Sequence, residues 1–308
     1  MKRTLRKSIR NNSFLYGIIC LYRYARYRRQ YDRLDKDLNI LDIRQTLDYL
    51  ATHEVSLARF GDSELRMLFK KYSIGFQEYN PRLAARLHEI VDSPRNSDVL
   101  MVALPHHLVG TEDAKFDIKT AWWSMLTHNY SSIRQNLNPN LTYLDAEVSR
   151  TYSEYRDSAI TAKAYAVFKK IWQNKKVLIV EGDETRMGMG NDLFAGAADL
   201  KRILVPRENA FERYEQIKQL VEEKDAEYDF DLVIAAIGPT ATVLAYDLSL
   251  QTRILDLGHL DIQYEYYRHH SKRMTQVKGK YTNEVNMTDD DIYKNDDEYL
   301  SQIIGRVE

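Results

Sequence analysis

The second half of the chain alternates short apolar runs with helical patterns, and this order is what most limits the possible folds. Runs rich in Val, Ile and Leu predict strands at 177–180, 202–205, 231–237 and 253–257. Helical spacing follows two of them, at 210–227 and 239–250. Strands that alternate with helices favour right-handed crossovers and a parallel sheet. The sequence therefore predicts an α/β fold with a mostly parallel sheet flanked by helices.

The first half contains the same kinds of element, and no boundary divides it from the second. Strands are predicted at 55–58, 99–104 and 143–148, and helices at 38–51, 65–69, 82–91, 120–137 and 161–172. There is no internal repeat, low-complexity block or Pro/Gly/Ser-rich linker between 38 and 285. We therefore predict one domain at 38–285, a basic amphipathic helical extension at 1–37 and a polar acidic tail at 286–308.

The extension is strongly basic and surrounds a short apolar, aromatic run at 14–22. Residues 1–33 carry ten Lys or Arg against one acidic residue. This pattern is typical of a helix on an anionic membrane surface, of a nucleic-acid-binding arm, or of a helix that packs on its own domain. We expect the membrane surface and no nucleic acid, because no nucleic-acid-binding motif follows.

Cysteine content and hydropathy bear on the compartment. Cys20 is the single cysteine, so the chain cannot form an intrachain disulfide, and a reducing compartment is indicated. No apolar stretch has the length of a membrane-spanning helix. We expect a cytoplasmic protein, peripheral on the inner face of the cell membrane.

Two carboxylates follow the predicted strand 55–58 in the segment Arg59-Phe60-Gly61-Asp62-Ser63-Glu64. Side chains two apart on a strand share one side, so Asp62 and Glu64 are predicted to converge where it ends. Hard oxygen ligands suit a divalent cation whose remaining ligands come from substrate phosphates and water. A solvated acidic turn is the alternative.

Glycine-containing loops follow two other predicted strands. The stretch 181–194, with Gly188 and Gly190, reads as a loop that opens a helix and offers backbone amides to a phosphate. It lacks the third glycine of a dinucleotide fingerprint, and a plain tight turn explains it equally well. Gly238 and Pro239 begin the helix after strand 231–237, where proline suits the first turn.

Six ordered blocks of sequence resemble the GT-D fold glycosyltransferases, a bacterial family first catalogued as a domain of unknown function. They span 55–285 and are RFGDSE (59–64), VLIVEGDETRMGMGNDLF (177–194), RILVPRENAF (202–211), IGPTATVLAYDLS (237–249), LDLGHLDIQYEYY (255–267) and VKGKYTNEV (277–285). The resemblance implies a Rossmann-like nucleotide-sugar domain of GT-D type with an Asp-x-Glu metal motif.

The resemblance also implies roles for individual residues. Asp62 and Glu64 would bind Mn²⁺ or Mg²⁺ and, through it, the diphosphate of a UDP-sugar. Glu265 is the preferred base, with His259 as a metal or phosphate neighbour and Asp261 as a third candidate. The predicted donor-binding residues are Arg59, Gly61, Glu181, Gly182, Arg186, Gly188, Gly190, Asn191, Arg207, Asn209, Gly238, Pro239 and Thr240.

The chain departs from the family pattern at two informative positions. Ser63 stands where the family usually has glycine, so a positive φ there would strain the chain. Gln263 stands where the family usually has an acid and cannot act as a base. We expect these changes to affect donor or acceptor specificity more than the class of reaction.

The expected function is metal-dependent transfer of a glucose-like hexose from a UDP-sugar to a hydroxyl of a growing glycan. The basic extension favours a lipid-linked acceptor, as in capsular or exopolysaccharide assembly, and a glycoprotein glycan is the variant. Two alternatives remain. One is another nucleotide-dependent metal enzyme, a nucleotidyltransferase or phosphatase, and the other is a non-catalytic module that binds nucleotides or glycans.

Overall fold

The computed structural model describes residues 12–70, 72–92, 98–282 and 296–308, and their strands form one sheet. Nine strands pair in the order β1-β4-β3-β2-β8-β7-β5-β6-β9, every pair parallel. The prediction of a mostly parallel α/β sheet is confirmed. The strands are β1 Asn39–Ile40, β2 Ser56–Arg59, β3 Leu100–Leu104, β4 Thr142–Asp145, β5 Lys176–Gly182, β6 Asp199–Val205, β7 Leu232–Ala236, β8 Ile254–Asp256 and β9 Ile303–Arg306.

Helices cover both faces of this sheet. The α-helices are α1 Ser13–Asp32, α2 Ile43–Thr52, α3 Asp62–Lys70, α4 Pro81–Asp92, α5 Phe116–Arg134, α6 Thr151–Glu154, α7 Ser158–Ile171, α8 Tyr214–Tyr228, α9 Pro239–Leu248, α10 Leu260–Arg268 and α11 Asp297–Gln302. Short 3₁₀ turns lie at His106–Leu108, Ala146–Ser149 and Ala210–Arg213.

Two apolar layers form the core, one on each face of the sheet. In β5, Val177 and Ile179 point into one layer, whereas Leu178 and Val180 point into the other, as the two-residue period of a strand requires. Helices α2, α7 and α10 complete the first layer, and α3, α4, α5, α8 and α9 complete the second. Because both faces are covered, the central strands are apolar throughout.

The order of the strands locates the crevice where a ligand would bind. Strands from the first half of the chain lie on one side of the sheet and later strands on the other, and they meet where β2 pairs with β8 through Leu57 and Leu255. In open parallel sheets, ligands bind outside the carboxyl ends of the strands where the order reverses. The loops after β2, β7 and β8 therefore face this crevice.

The stretch after β5 differs from its prediction. Residues 183–198 form turns, and the next regular element is β6 rather than a helix. The φ angles of Glu184, Arg186, Gly188 and Gly190 lie between 53° and 81°, in the left-handed region that a right-handed helix excludes. The expectation of a phosphate-binding helix N-terminus after β5 is therefore wrong.

The C-terminal residues belong to the sheet rather than to a polar tail. Residues 296–308 form α11 and β9, and β9 pairs with β6 as the edge strand. Tyr299 of α11 is buried, and its hydroxyl donates to Glu181 at 3.2 Å. The prediction of a polar acidic tail is therefore wrong for residues 296–308. Residues 286–295, which include the acidic cluster 289–291, lie outside the described residues.

Helix α1 packs along α5 and leaves its other face exposed. The rings of Tyr24 and Tyr31 lie 5.8 Å and 5.7 Å from that of Trp123. The exposed face contains Phe14, Leu15, Ile18, Leu21 and Tyr22. Among the described residues, no helix is sufficiently long and apolar to span a bilayer. Residues 1–11, which carry part of the predicted basic charge, lie outside the described part of the chain.

Candidate active site

A cleft of about 970 Å³ opens at the carboxyl ends of the central strands. Half of the predicted site residues line it: Arg59, Gly61, Asp62, Glu64, Gly182, Arg207, Gly238, His259 and Asp261. The other half do not: Glu181, Arg186, Gly188, Gly190, Asn191, Asn209, Pro239, Thr240 and Glu265. The structure thus brings together residues that are up to about two hundred positions apart in the sequence.

The acidic motif lies on a helix rather than at the end of a strand. Helix α3 begins at Asp62, so Asp62 and Glu64 occupy its first turn, where residues two apart point about 200° away from each other. Asp62 is about half exposed and pairs with Arg66 at 3.1 Å. Glu64 accepts a hydrogen bond from the Gly61 amide at 2.8 Å. The two side chains therefore do not share one side of a strand as we expected, although both line the cleft. Ser63 is helical and is not among the residues with positive φ.

Asp256, at the end of β8, is the acidic neighbour of Glu64 that sequence reasoning missed. Burial, followed by the charge of Asp256, raises the pKa of Glu64 to about 7. Arg59 holds Asp256 through a 3.2 Å ion pair and a 2.6 Å hydrogen bond from its Nε to the Asp256 carbonyl. The sequence could have indicated Asp256, because it is an acidic residue at the carboxyl end of an apolar strand, and such strand ends face the site in this fold.

The carboxylates here have the chemistry that a Mn²⁺ or Mg²⁺ ion requires. Glu64 and Asp256 both line the cleft and repel each other, as the raised pKa of Glu64 indicates. A divalent cation relieves such repulsion, and hard carboxylate oxygens are its preferred ligands. Asp62 lines the same cleft from its more exposed rim. These three residues fit a cation that is shared with substrate phosphates.

Four residues form a compact polar cluster at the cleft, and two of them, Asp261 and Lys280, line it. Asp261 and Glu265 lie one turn apart on α10, and Lys280 pairs with them at 2.7 Å and 3.1 Å. Asn191 donates to the same two carboxylates at 2.7 Å and 2.5 Å. Asp261 lines the cleft, but Glu265 is buried and does not. His259, the N-cap residue of α10, also lines the cleft.

The turn between β7 and α9 brings a helix N-terminus to the cleft. Gly238 has φ 60°, and a Cβ atom there would lie 2.2 Å from Cε2 of Phe76. Only glycine combines that backbone conformation with this close contact. Pro239 and Thr240 then begin α9 without lining the cleft. The amide groups at such an N-terminus favour an anion.

Several predicted donor-binding residues instead hold loops in place. Glu181 is fully buried, pairs with Arg202 at 2.6 Å and accepts from the Met187 amide at 2.7 Å. Arg186 is buried and pairs with Asp296. Asn209 accepts from the Glu78 amide at 2.8 Å. Among the predicted arginines, Arg59 and Arg207 line the cleft, and Arg207 lies over the ring of Tyr281 at 4.8 Å.

The same cleft carries charged residues that sequence reasoning did not select. Glu147, Arg150 and Glu154 line it. Ligand atoms of His107, Glu147 and Glu154 lie within 4.8 Å of one another. Arg150 and His107 pair with Glu154 at 3.5 Å and 3.4 Å, so Glu154 already has cationic partners. Its position just after β4 could have indicated Glu147 as a site residue, but we predicted a strand over 143–148 and so placed Glu147 inside it.

Comparison with known proteins gives a consistent result. The family model described as glycosyltransferase GT-D fold matches residues 57–285. A probable glycosyl transferase Gly of Streptococcus gordonii is 36% identical over 274 residues, or 89% of this chain. Glycosyltransferase GlyD of Streptococcus pneumoniae is 34% identical over 284 residues, or 90% of this chain. The chain spans only 39% and 34% of the lengths of these two relatives.

Solved structures show the same similarity. One, described as a new glycosyltransferase from Streptococcus sanguinis, is 36% identical with a TM-score of 0.80, and the match covers 88% of this chain and 100% of that one. A second, described as a conserved domain of unknown function with a distinct glycosyltransferase fold, is 30% identical with a TM-score of 0.81. That match covers 93% of this chain and 100% of the other.

Proposed function

Because the chain belongs to the family of glycosyltransferases with the GT-D fold, we propose that it transfers a glucose-like hexose from a UDP-sugar to a hydroxyl of a growing glycan. The observation that carries this proposal is the cleft itself. Acidic residues from β8 and α3, two arginines and the N-terminus of α9 all meet there. This combination suits a nucleoside diphosphate that is bound through a cation.

The donor diphosphate would lie between the acidic residues and the basic wall. Arg59 and Arg207 supply guanidinium groups, which bind phosphate oxygens in a fixed geometry. The turn at Gly238 adds the positive end of α9. As the sugar leaves, negative charge grows on the diphosphate, and groups that are already in place stabilise that charge.

A bound Mn²⁺ or Mg²⁺ would neutralise part of the charge on the departing diphosphate. Glu64 and Asp256 are the residues that we propose to hold it, with Asp62 at the rim. Asp261 and His259 also line the cleft, and we propose that they position the hexose. Lys280 and Asn191 fix Asp261 in one orientation, so this part of the cleft is preorganised.

We further propose that α1 lies on an anionic membrane surface and that the acceptor is lipid-linked. The exposed apolar face of α1 is accompanied by arginines at 23, 26, 28, 29 and 33. Tyr16, Ile19 and Arg23 of the same helix line the cleft. A glycan that is attached to a membrane lipid would therefore reach the cleft beside the surface that holds its anchor. A glycan on a protein is the alternative acceptor.

Donor hydrolysis tests the proposed reaction. The purified chain would be mixed with a panel of UDP-hexoses and Mn²⁺, and release of UDP would be followed with and without a chelator. We expect chelator-sensitive release from one donor and loss of that release in the double variant Asp62→Asn/Glu64→Gln. Binding of UDP would be measured in the same samples. Absence of both release and binding would refute the proposed function.

A further inference from the structure

Glu265, the base expected from the sequence, is poorly placed to accept a proton from an acceptor hydroxyl. It is buried away from the cleft wall and accepts hydrogen bonds from Lys280 and Asn191. Asp261 does line the cleft, but each of its oxygens is already an acceptor, Oδ1 from Asn191 and Oδ2 from Lys280. A general base must reach its proton directly or through one water.

Glu147 differs from Glu265 in lining the cleft, and it differs from both carboxylates in its hydrogen bonds. It lines the cleft, and within the described part of the chain its side chain receives no hydrogen bond. Its neighbour Ala146 accepts from Arg59 at 2.7 Å, and the same guanidinium pairs with Asp256. Arg59 therefore links the 3₁₀ turn that carries Glu147 to Asp256 at the end of β8.

The residues around Glu147 suit the binding of sugar hydroxyls. The ring of Trp122, which also lines the cleft, lies 5.2 Å from that of His107. Arg150, Glu154 and Arg23 add further polar groups to the lining. An apolar ring beside a few converging polar groups is the usual composition of a small-molecule site. Helix α10 contacts the segment that follows Glu147, because Gln263 of α10 accepts a hydrogen bond from the Ser153 amide at 2.9 Å.

We propose that Glu147 is the base that removes the proton from the acceptor hydroxyl, and this inference rests on the proposed function. The acceptor O–H bond breaks and its proton passes to the Glu147 carboxylate. The acceptor oxygen forms a bond to C1 of the donor sugar. The bond from C1 to the diphosphate oxygen breaks, and its electron pair leaves with UDP. Direct displacement of this kind inverts the configuration at C1.

The electrostatic surroundings of Glu147 agree with this role. Burial, followed by the charge of Glu154, raises the pKa of Glu147 to about 8. His107, Arg150 and Asp145 are the other charged groups that act on it, and Arg23 of α1 lines the same cleft. A base is most effective when its pKa lies near the working pH. Glu147 is therefore a stronger base than an exposed glutamate and is still ionised in part near neutral pH.

The test uses water as the acceptor, so that no acceptor needs to be identified beforehand. Hydrolysis of the active UDP-hexose would be measured for the wild type, Glu147→Gln and Glu265→Gln. We expect Glu147→Gln to lower kcat about 100-fold or more, with the KM for the donor unchanged within about two-fold. Formate should restore part of the activity of Glu147→Ala, and the released hexose should show inversion by NMR.

The outcomes separate this inference from the function on which it rests. A wild type that neither hydrolyses any donor nor binds UDP refutes the proposed function. An active wild type that Glu147→Gln matches in kcat, or a product of retained configuration, overturns the assignment of Glu147. A large loss of kcat in Glu265→Gln but not in Glu147→Gln would return the role to Glu265. Circular dichroism of each variant would show that it is folded.

Discussion

At the scale of single residues, the cleft is built from charges that are compensated to different degrees. Asp261 and Glu265 share Lys280 and also accept hydrogen bonds from Asn191. Arg268 and His269 add further positive charge near Glu265. For Glu64 and Asp256, Arg59 is the cation among the described residues that acts on both. A fully compensated group is held in place, and an undercompensated one is available to a ligand. This difference separates residues that support the site from those that we propose to contact the donor.

Replacement of Lys280 should destabilise the fold. Lys280→Met would remove the cation that pairs with both Asp261 and Glu265. Among the described basic residues, Glu265 would keep only its longer contacts to Arg268 at 3.9 Å and His269 at 3.4 Å. Removal of one partner from a buried charge cluster costs about 3–5 kcal/mol. Urea unfolding followed by circular dichroism would measure the loss. Lys272 is exposed, so Lys272→Met is the matched control and should change stability by less than about 0.5 kcal/mol; equal losses would contradict the prediction.

Stability should fall with pH because of Glu147. Its pKa is raised to about 8 in the folded chain from an ordinary 4.5. Between these values the folded state holds a proton that the unfolded state releases, so the free energy of unfolding falls as pH rises, by up to about 1.4 kcal/mol per pH unit. Glu147→Gln should flatten this slope between pH 5 and 8 in urea titrations. Identical slopes in the two proteins would show that Glu147 is not the group responsible.

At the scale of elements, tight contacts after the strands shape the cleft. The turn between β7 and α9 is the clearest case, because Phe76 from the loop between α3 and α4 fills the space where a side chain at position 238 would start. Loops that are distant in sequence thus fix one another. The turn-rich stretch after β5 is held in a similar way by Phe194 against Gly188.

Gly238→Ala should weaken both stability and donor binding. The new methyl would overlap Phe76 at 2.2 Å, and φ 60° is unfavourable for alanine, so we expect a loss of about 1–3 kcal/mol. The displaced turn should also raise the KM for the donor. Gly17→Ala is the control, because no atom lies within 4 Å of the new methyl inside α1. That variant should gain about 0.5–1 kcal/mol, and thermal unfolding would compare the two.

At the scale of the whole molecule, α1 carries an apolar face outside the core and beside the mouth of the cleft. Phe14, Leu21 and Tyr22 are 76%, 62% and 62% exposed. An amphipathic helix with arginines flanking such a face binds through apolar burial and through attraction to anionic lipids. The position of α1 against α5 therefore fixes the orientation that the cleft would adopt at a membrane.

The chain should bind anionic vesicles through this face. We expect it to co-sediment with phosphatidylglycerol-rich vesicles, less with phosphatidylcholine vesicles, and more weakly at high salt because surface charges are screened. The triple variant Phe14→Ser/Ile18→Ser/Leu21→Ser should lose most of this binding. Leu250 is 72% exposed elsewhere on the surface, so Leu250→Ser is the control. Equal binding by the two variants would exclude α1 as the docking surface.

The sequence by itself determined the class of fold and the family. Apolar runs of strand length that alternate with helical patterns leave a covered parallel sheet as the economical arrangement, and the ordered blocks identified the GT-D family. Local chemistry also indicated the turn at Gly238 and the acidic motif at Asp62 and Glu64. These features depend on short-range periodicity and on residue type, which a sequence displays directly.

Only the tertiary structure decided which side chains meet. Asp256 lies beside Glu64 because β8 pairs with β2 through Leu57 and Leu255, which are far apart in the sequence. Asp261 lines the cleft and Glu265, one turn further along α10, does not, although Lys280 and Asn191 from two other segments contact both. Glu147 reaches the cleft because β4 ends at Asp145, before the predicted end at 148, and a 3₁₀ turn carries Glu147. Such contacts depend on strand order and on the exact ends of elements, which local patterns do not encode.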